Sequence, residues 1–460
     1  MARTNDREWL DGLEAGLLIA AAPFLLFPGR FVWATGLACL AVALIWLGRG
    51  FLSGRFLPVT PFNGALLVWL GAVLVGILVS ADPDLTLPKT TGILLGVTVW
   101  RMLVVQVRTA ARQQMAVGLF LVAAAVMLMM GMMAVDWRIK FPLFTQLRQI
   151  LPAPWVQLPE SPAAGVQANQ LAGTILLCWP FSLALVAGGW PSSTEHLRPT
   201  QFLKNGEHLR KRLREQLGGT WISRGLVWSI VVGGAVLLLL SQSRAGWLGG
   251  GAGLFTLVWL NRVRRSKTLG ATGHSLHPVA TGLGGIFLLL LLIVAGLGVV
   301  FSGISGAEMP PATGATDPLE TLAFRVEVWR YALEAIGDFP FTGTGLGTFR
   351  RVVLRLYPIT IYPNPDIAHA HNVFLQMALD TGLPGLVAYL ALLGLVGGYG
   401  WQQLHASSAF TAVLVVGICA TFLAFHLFGL ADTIALGAKP GLLWWWLLGL
   451  MGSFQTINQV

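Results

Sequence analysis

The sequence is poor in charge. Only 11% of its 460 residues are Asp, Glu, Lys or Arg, against about 25% in an ordinary soluble domain. That is too few to cover a water-soluble surface of this size. Cysteine is scarce too. Cys39, Cys178 and Cys419 fall in apolar stretches without metal-ligand spacing, which excludes a disulfide scaffold and leaves small buried hydrophobes. No internal repeat, Walker loop or dinucleotide-binding glycine motif is present, so neither ATP nor a redox cofactor is implied. What is abundant is apolar. Hydrophobic residues make up 55%, and mean hydropathy is +0.71, which excludes disorder and collagen-like sequence. The net charge of +10 would point to nucleic acid in a soluble protein. In so apolar a chain it reads first as membrane topology, and no nucleic-acid partner is expected.

A bilayer core takes about 20 apolar residues per helix. Such stretches lie near 12–28, 31–48, 63–80, 90–107, 115–135, 168–189, 224–241, 244–260, 279–301, 385–402, 410–430 and 435–453. The expected fold is therefore all-α and polytopic. Nine of about twelve transmembrane helices fall within 1–301, a long helical loop spans 302–384, and three helices fall within 385–460. Asp6, Glu8, Asp11 and Glu14 precede the first apolar stretch and no cleavage site follows it, so it is read as a retained span. Lys and Arg concentrate in every second loop, above all in Arg198–Arg224 and Arg262–Lys267. By the positive-inside rule both termini face the cytoplasm and the 302–384 loop faces outward. The basic 190–224 loop suits anionic lipid, at about 1 kcal/mol per basic residue.

The outer loop breaks the apolar rhythm, and a long ordered loop is usually functional. Asp317-Pro318-Leu319-Glu320 predicts a helix start with Asp317 as cap. The helix should run to Ile336 with Val326, Trp329, Leu333 and Ile336 on one face. Arg325, one turn from Trp329, borders that face. Arg330 is better read as a solvated partner of Glu327 and Glu334. Gly343-Thr344-Gly345-Leu346-Gly347 must be a turn-rich loop. His369-Ala370-His371-Asn372 precedes a short amphipathic helix ended by Thr381-Gly382-Leu383-Pro384-Gly385. Histidine is the usual general base near neutral pH. Two histidines two apart also suit a metal, but the one carboxylate nearby in sequence is Asp366, and an open catalytic site needs three ligands. Arg244, in Ser241-Gln242-Ser243-Arg244-Ala245-Gly246-Trp247, falls at the outer boundary as an interfacial anchor or a functional charge. Arg101 lies within the fourth span and is expected to snorkel inward. His426 and Asp432 sit near the outer end of the eleventh span.

These pieces resemble the O-antigen ligase and polymerase superfamily of polytopic bacterial glycosyltransferases. The resemblance rests on Asn169-Gln170-Leu171-Ala172-Gly173, Ser243 to Trp247, Arg325 to Trp329, and Pro340 to Gly345. It ends with His371-Asn372, Leu375-Gln376 and Asp380 to Gly385. It implies transfer of a glycan from undecaprenyl diphosphate to an acceptor hydroxyl, such as that of the lipid A-core, on the periplasmic side of the bacterial inner membrane. No metal or other cofactor is implied. By resemblance His371 matches the general base, and Arg244 and Arg325 match the arginines that hold the diphosphate. His369 falls in the same motif. Asn372, Arg330, Asn169, Gln170, His426 and Asp432 are carried as candidate substrate-binding residues.

Other readings compete. A polymerase joining lipid-linked repeat units and a protein O-oligosaccharyltransferase share the chemistry. A transporter would use Arg101, His426 and Asp432 for translocation, but these residues lack paired broken helices at mid-depth. A flippase-like partner would perform no chemistry.

Overall fold

The computed structural model describes residues 2–137, 146, 154–157, 165–189, 224–268, 318–357, 367–406 and 408–457. The ninth predicted span (279–301), the basic loop as far as residue 223, the Asp317 cap and Asp366 lie outside them.

The chain is mostly helical. The helices of its first part are α1 (Ala2–Leu26), α2 (Val32–Ser53), α3 (Asn63–Leu78), α4 (Pro83–Gln106) and α5 (Ala110–Ala134). They are followed by α6 (Ala168–Leu176) and α7 (Trp179–Gly188), α8 (Arg224–Leu240) and α9 (Arg244–Thr268). Then come α10 (Pro318–Asp338), α11 (Phe349–Leu356), α12 (Val373–Ala406), α13 (Ala409–Phe428) and α14 (Gly441–Ile457). The all-α expectation needs one amendment. Val135–Asp136 (β1) pairs in parallel with Val166–Gln167 (β2), a short clasp between α5 and α6.

Among the described residues, six helical stretches are long and apolar enough to cross a membrane: 9–26, 32–53, 110–134, 168–188, 373–404 and 409–428. The Asn63–Leu78 and Arg224–Leu240 helices are apolar but shorter. The 168–188 stretch is broken at Leu177–Cys178, where Pro180 sits in the first turn of α7, the position at which proline is tolerated. Large apolar side chains such as Trp33, Leu78 and Leu248 are exposed on the helix flanks, as a lipid-facing surface requires. The chain is a multi-pass membrane protein.

Helices pair across long sequence separations: α9 and α7 against α13, α4 against α14, and α3 against α12. Small residues permit the closest of these approaches. A Cβ on Gly76 of α3 would lie 2.2 Å from the Asp380 carbonyl of α12, and one on Gly92 of α4 would lie 2.0 Å from the Gly437 carbonyl. Both contacts bind the inner bundle to segments that carry the outer site.

A second, smaller core lies apart from the main one. Val328, Tyr331, Ala332 and Ala335 of α10 pack with Phe349, Val353, Ala370, Ala378 and Leu379. The expected face of α10 holds in part: Val326 and Ile336 are buried, but Leu333 points outward and is 59% exposed. The helix buries its small alanines instead, which lets it lie close against the start of α12. The helix also runs past Gly337 to Asp338.

Candidate active site

The short stretch 367–372 carries the two histidines and is held from both sides. Its C-terminal anchor is Asn372. The Oδ1 of Asn372 accepts the backbone N–H groups of Phe374 (2.9 Å) and Leu375 (3.1 Å), capping α12 as Asn does well. Its Nδ2 donates to the Leu430 carbonyl at 3.0 Å, and Val373 N–H donates to the Gly429 carbonyl at 2.7 Å. Those two bonds dock the 429–434 loop, and with it Asp432, onto the histidine segment. The helix predicted to stop at Thr381–Gly385 does break there. Gly382 has φ +69, and a Cβ on it would lie 2.3 Å from the Phe341 carbonyl. Beyond the kink the same helix continues to Ala406.

Four ionisable side chains converge from three distant segments. His371 Nδ1 faces Asp432 Oδ1 at 3.5 Å, and His369 Nε2 faces the same oxygen at 3.9 Å. Arg325 Nη2 approaches Asp432 Oδ2 at 4.0 Å. The imidazoles stand edge to face with centroids 4.3 Å apart. His371 N–H donates to His369 Nδ1 at 3.3 Å, which leaves the His369 proton on Nε2, toward Asp432. Asp432 Oδ1 also accepts the Thr433 N–H at 2.8 Å. The His371 Nδ1 is buried without a hydrogen bond of normal length.

Electrostatics follow from this crowding. Burial, then the neighbouring His371, push the His369 imidazole down to about 3, so it is neutral at physiological pH. Burial alone would raise the Asp432 carboxyl, but His371, His369 and Arg325 reverse that and hold it well below the usual carboxylate range. Arg325 is lowered by burial, supported by Asp432 and opposed by the charge of Arg244. That last effect locates Arg244: α9 begins on it, and its guanidinium is near enough to Arg325 to be felt. Two cations therefore stand in the neighbourhood of the Asp432 carboxylate.

The backbone is distorted at the same places. Among the described non-glycine residues, Gln242 (φ 50) and His371 (φ 49) alone have positive φ. Such conformations cluster at functional sites, where the surroundings enforce them. Gln242 is buried in the turn that presents Arg244.

The other candidates are placed as follows. Arg330 is exposed on α10, 4.0 Å from Glu334 and stacked over the Tyr331 ring. Asn169 and Gln170 are half-buried in the first turn of α6. That helix passes between the Arg244 and Asp432 segments, because Ala172 packs at Gly246 and Gly173 at Ile434. His426 is buried among aromatics, with Nε2 2.6 Å from Tyr389 Oη and Nδ1 2.6 Å from the Phe422 carbonyl. Arg101 does not snorkel, contrary to expectation. It is 2% exposed and pairs with Glu14 at 2.6 Å, since an acidic partner from α1 reaches it inside the bundle.

Sequence reasoning assigned no role to three residues near the histidines. Lys89 of α4 lowers His369 electrostatically and lines a small cavity with Gln376, Asp380 and Thr433. The polar Gln376 and Asp380 stood out only as motif letters. The carboxylate sought for a metal at Asp366 is supplied by Asp432: with His369 and His371 it offers three ligand atoms within 4.8 Å of one another.

No curated protein matches the chain. Residues 229–390 match the family described as O-antigen ligase, a segment that includes Arg244, Arg325, His369 and His371. Across that segment the chain is similar to the O-antigen ligase family.

Proposed function

We propose that the protein is an O-antigen ligase-type glycosyltransferase of the bacterial inner membrane. It moves a glycan from undecaprenyl diphosphate to an acceptor sugar hydroxyl, such as that of the lipid A-core, on the periplasmic side, with both termini in the cytoplasm. The observation that carries this reading is the meeting of Arg325, His369, His371 and Asp432, with Arg244 in electrostatic range at the end of α9 opposite Arg262, Arg264 and Arg265.

The chemistry needs no external energy, because the diphosphate is an activated leaving group. Asp432 takes the Nδ1–H side of His371 and leaves Nε2 as the base, the logic of a base oriented by a carboxylate. The acceptor oxygen attacks the anomeric carbon while His371 Nε2 accepts the hydroxyl proton. The carbon–oxygen bond to the diphosphate breaks, and the leaving group keeps the electron pair. Arg244 and Arg325 stabilise the charge that develops on it, through paired contacts suited to phosphate oxygens. Attack from the face opposite the leaving group inverts the anomeric centre.

A second reading has one observation behind it: the His369–His371–Asp432 cluster has the ligand count of an open zinc site. The Arg325 guanidinium 4.0 Å from the same carboxylate opposes a cation there. The His371 N–H directed at His369 Nδ1 removes one of that ring's ligand atoms.

Purified protein in nanodiscs, given a lipid-diphosphate glycan and candidate acceptors, tests both readings. Release of undecaprenyl diphosphate that depends on acceptor and withstands a chelator is expected. The product separates ligase from polymerase and protein glycosylation. Absence of release with every acceptor defeats the transferase reading, and activity lost to a chelator and restored by zinc establishes the metal.

A further inference from the structure

The backbone of the histidine segment is held by a buried polar pair that the mechanism above does not use. Gln376 Oε1 accepts the Ala370 N–H at 2.9 Å, and its Nε2 donates to Asp380 Oδ1 at 2.8 Å. The same Asp380 oxygen accepts the Gly347 N–H at 2.9 Å. Gln376 is 6% exposed and Asp380 7%. Buried polar side chains add little net stability over well-packed apolar ones of the same shape. This pair nonetheless joins two backbone amides, one in the glycine-rich turn and one between the two histidines. The turn is itself fixed, because Leu346 N–H donates to the Gly76 carbonyl at 2.9 Å and Thr344 N–H to the Leu379 carbonyl at 2.7 Å. His371, the next residue after Ala370, holds an unfavourable φ of 49, which persists only if both flanks are constrained. Asn372 and the Gly429 carbonyl constrain the far side, and on the near side the described amide bond is the one from Gln376.

We infer that Gln376 and Asp380 are positioning residues: they relay the fixed glycine turn to the Ala370 amide and so hold His369 and His371 in their working orientation. The inference rests on the reading of His371 as the base. The relay acts through geometry rather than charge, so a side chain that keeps the same hydrogen bonds should serve.

The test uses the full chain in nanodiscs with Gln376→Met, Asp380→Leu and Asp380→Asn. Two readouts are taken: amide hydrogen exchange across residues 367–372, and kcat and KM for transfer from a lipid-diphosphate glycan. Gln376→Met and Asp380→Leu should speed exchange at Ala370 and His371 about tenfold or more. They should lower kcat on the order of 10²-fold at unchanged donor KM, the scale of a small misplacement of a catalytic group. Asp380→Asn, whose carbonyl oxygen still accepts both N–H groups, should stay near wild type in both. Gln376→Glu keeps the acceptor for Ala370 and replaces Gln376→Met if that chain does not accumulate; a smaller kcat loss is expected. Unchanged exchange in Gln376→Met, a rise in KM alone, or Asp380→Asn as impaired as Asp380→Leu overturns the inference. Full activity of His371→Ala would instead defeat the base assignment, and the exchange data would still decide the relay.

Discussion

The molecule holds two clusters of opposed charges, reached by Lys89 and Arg101 of α4 and termed outer and inner after the proposed orientation, and they are built differently. At the inner end, Asp11 and Glu14 of α1 meet Arg49 of α2, Arg101 of α4 and Arg112 of α5. Every carboxylate oxygen there has a close partner. Arg49 joins both acids, Arg112 reaches Asp11 at 2.6 Å, and Glu14 takes Arg101 at 2.6 Å and Gln106 at 2.9 Å. At the outer end, Asp432 has one short backbone bond, and its three side-chain neighbours stand at 3.5 to 4.0 Å. Saturated groups have no capacity left for a ligand and act as a staple between helices. Unsaturated groups held at fixed distances can close on a substrate. Residue types alone would not separate the two clusters, since both combine acids with arginines.

The largest effect that would break this contrast is chemical. His371→Ala should lower transfer on the order of 10³-fold, the range of a lost general base, while extraction yield and thermal unfolding stay at wild-type values. Arg244→Lys and Arg325→Lys should each cost about 10²-fold or more, because lysine cannot make a bidentate phosphate contact. Transfer rates on purified variants decide this, and a near-normal His371→Ala ends the base assignment.

The inner cluster should fail in the other currency. Glu14→Ala strips two arginines of a buried partner and should destabilise the protein by about 3–5 kcal/mol. Transfer per folded molecule should be unchanged. Thermal unfolding beside active-site titration with donor measures both. A variant of full stability would show that the staple carries no load, and a lost turnover number would couple the two ends.

Much of this contrast was legible in the sequence, and its limits are physical. Apolar length predicts the helical stretches and glycine spacing the turn at 343–347, whereas the grouping of Arg244, Arg325 and His371 comes from the family resemblance alone. Partners distant in sequence were not legible. Glu14 was read only as a flank charge, yet it pairs with an arginine 87 residues away. Asp432 joins the histidines because the Val373 N–H and the Asn372 Nδ2 bond the Gly429 and Leu430 carbonyls and dock its loop, and carbonyl acceptors leave no side-chain pattern. Arg49 and Arg112 are likewise tied up in ion pairs with α1. On α10 the apolar spacing locates buried Val326 and Ile336 but not exposed Leu333, because Ala332 and Ala335 allow the closer contact.

Acid should loosen the outer cluster. The His369 imidazole sits at about 3 in the folded protein against about 6.5 in an unfolded chain. Between those values the unfolded state binds more protons, so stability falls as pH drops from roughly 6.5 toward 3. Asp432, held below its ordinary range, adds stability above the ordinary carboxylate value of about 4. That contribution is lost on further acidification, as the pH falls toward its folded value. Unfolding temperatures followed from pH 7 to pH 4 should therefore decline, and His369→Gln should flatten the upper part of that decline. An unchanged slope would mean that His369 is not held neutral by the site.

The smallest expected effect sharpens the boundary of the outer site. Arg330 lies on the same helix as Arg325, five residues on, but its side chain is 58% exposed and its partner Glu334 is a turn away at 4.0 Å. An exposed pair of this kind is worth about 0–1 kcal/mol. Arg330→Ala should leave the unfolding temperature nearly unchanged and the donor KM within about twofold, because a solvated guanidinium adds little to phosphate binding that a desolvated one already provides. A tenfold rise in donor KM would extend the anion site along the exposed face of α10. It would also mean that openness to solvent, rather than the unsaturated contacts around Asp432, marks where the diphosphate lies.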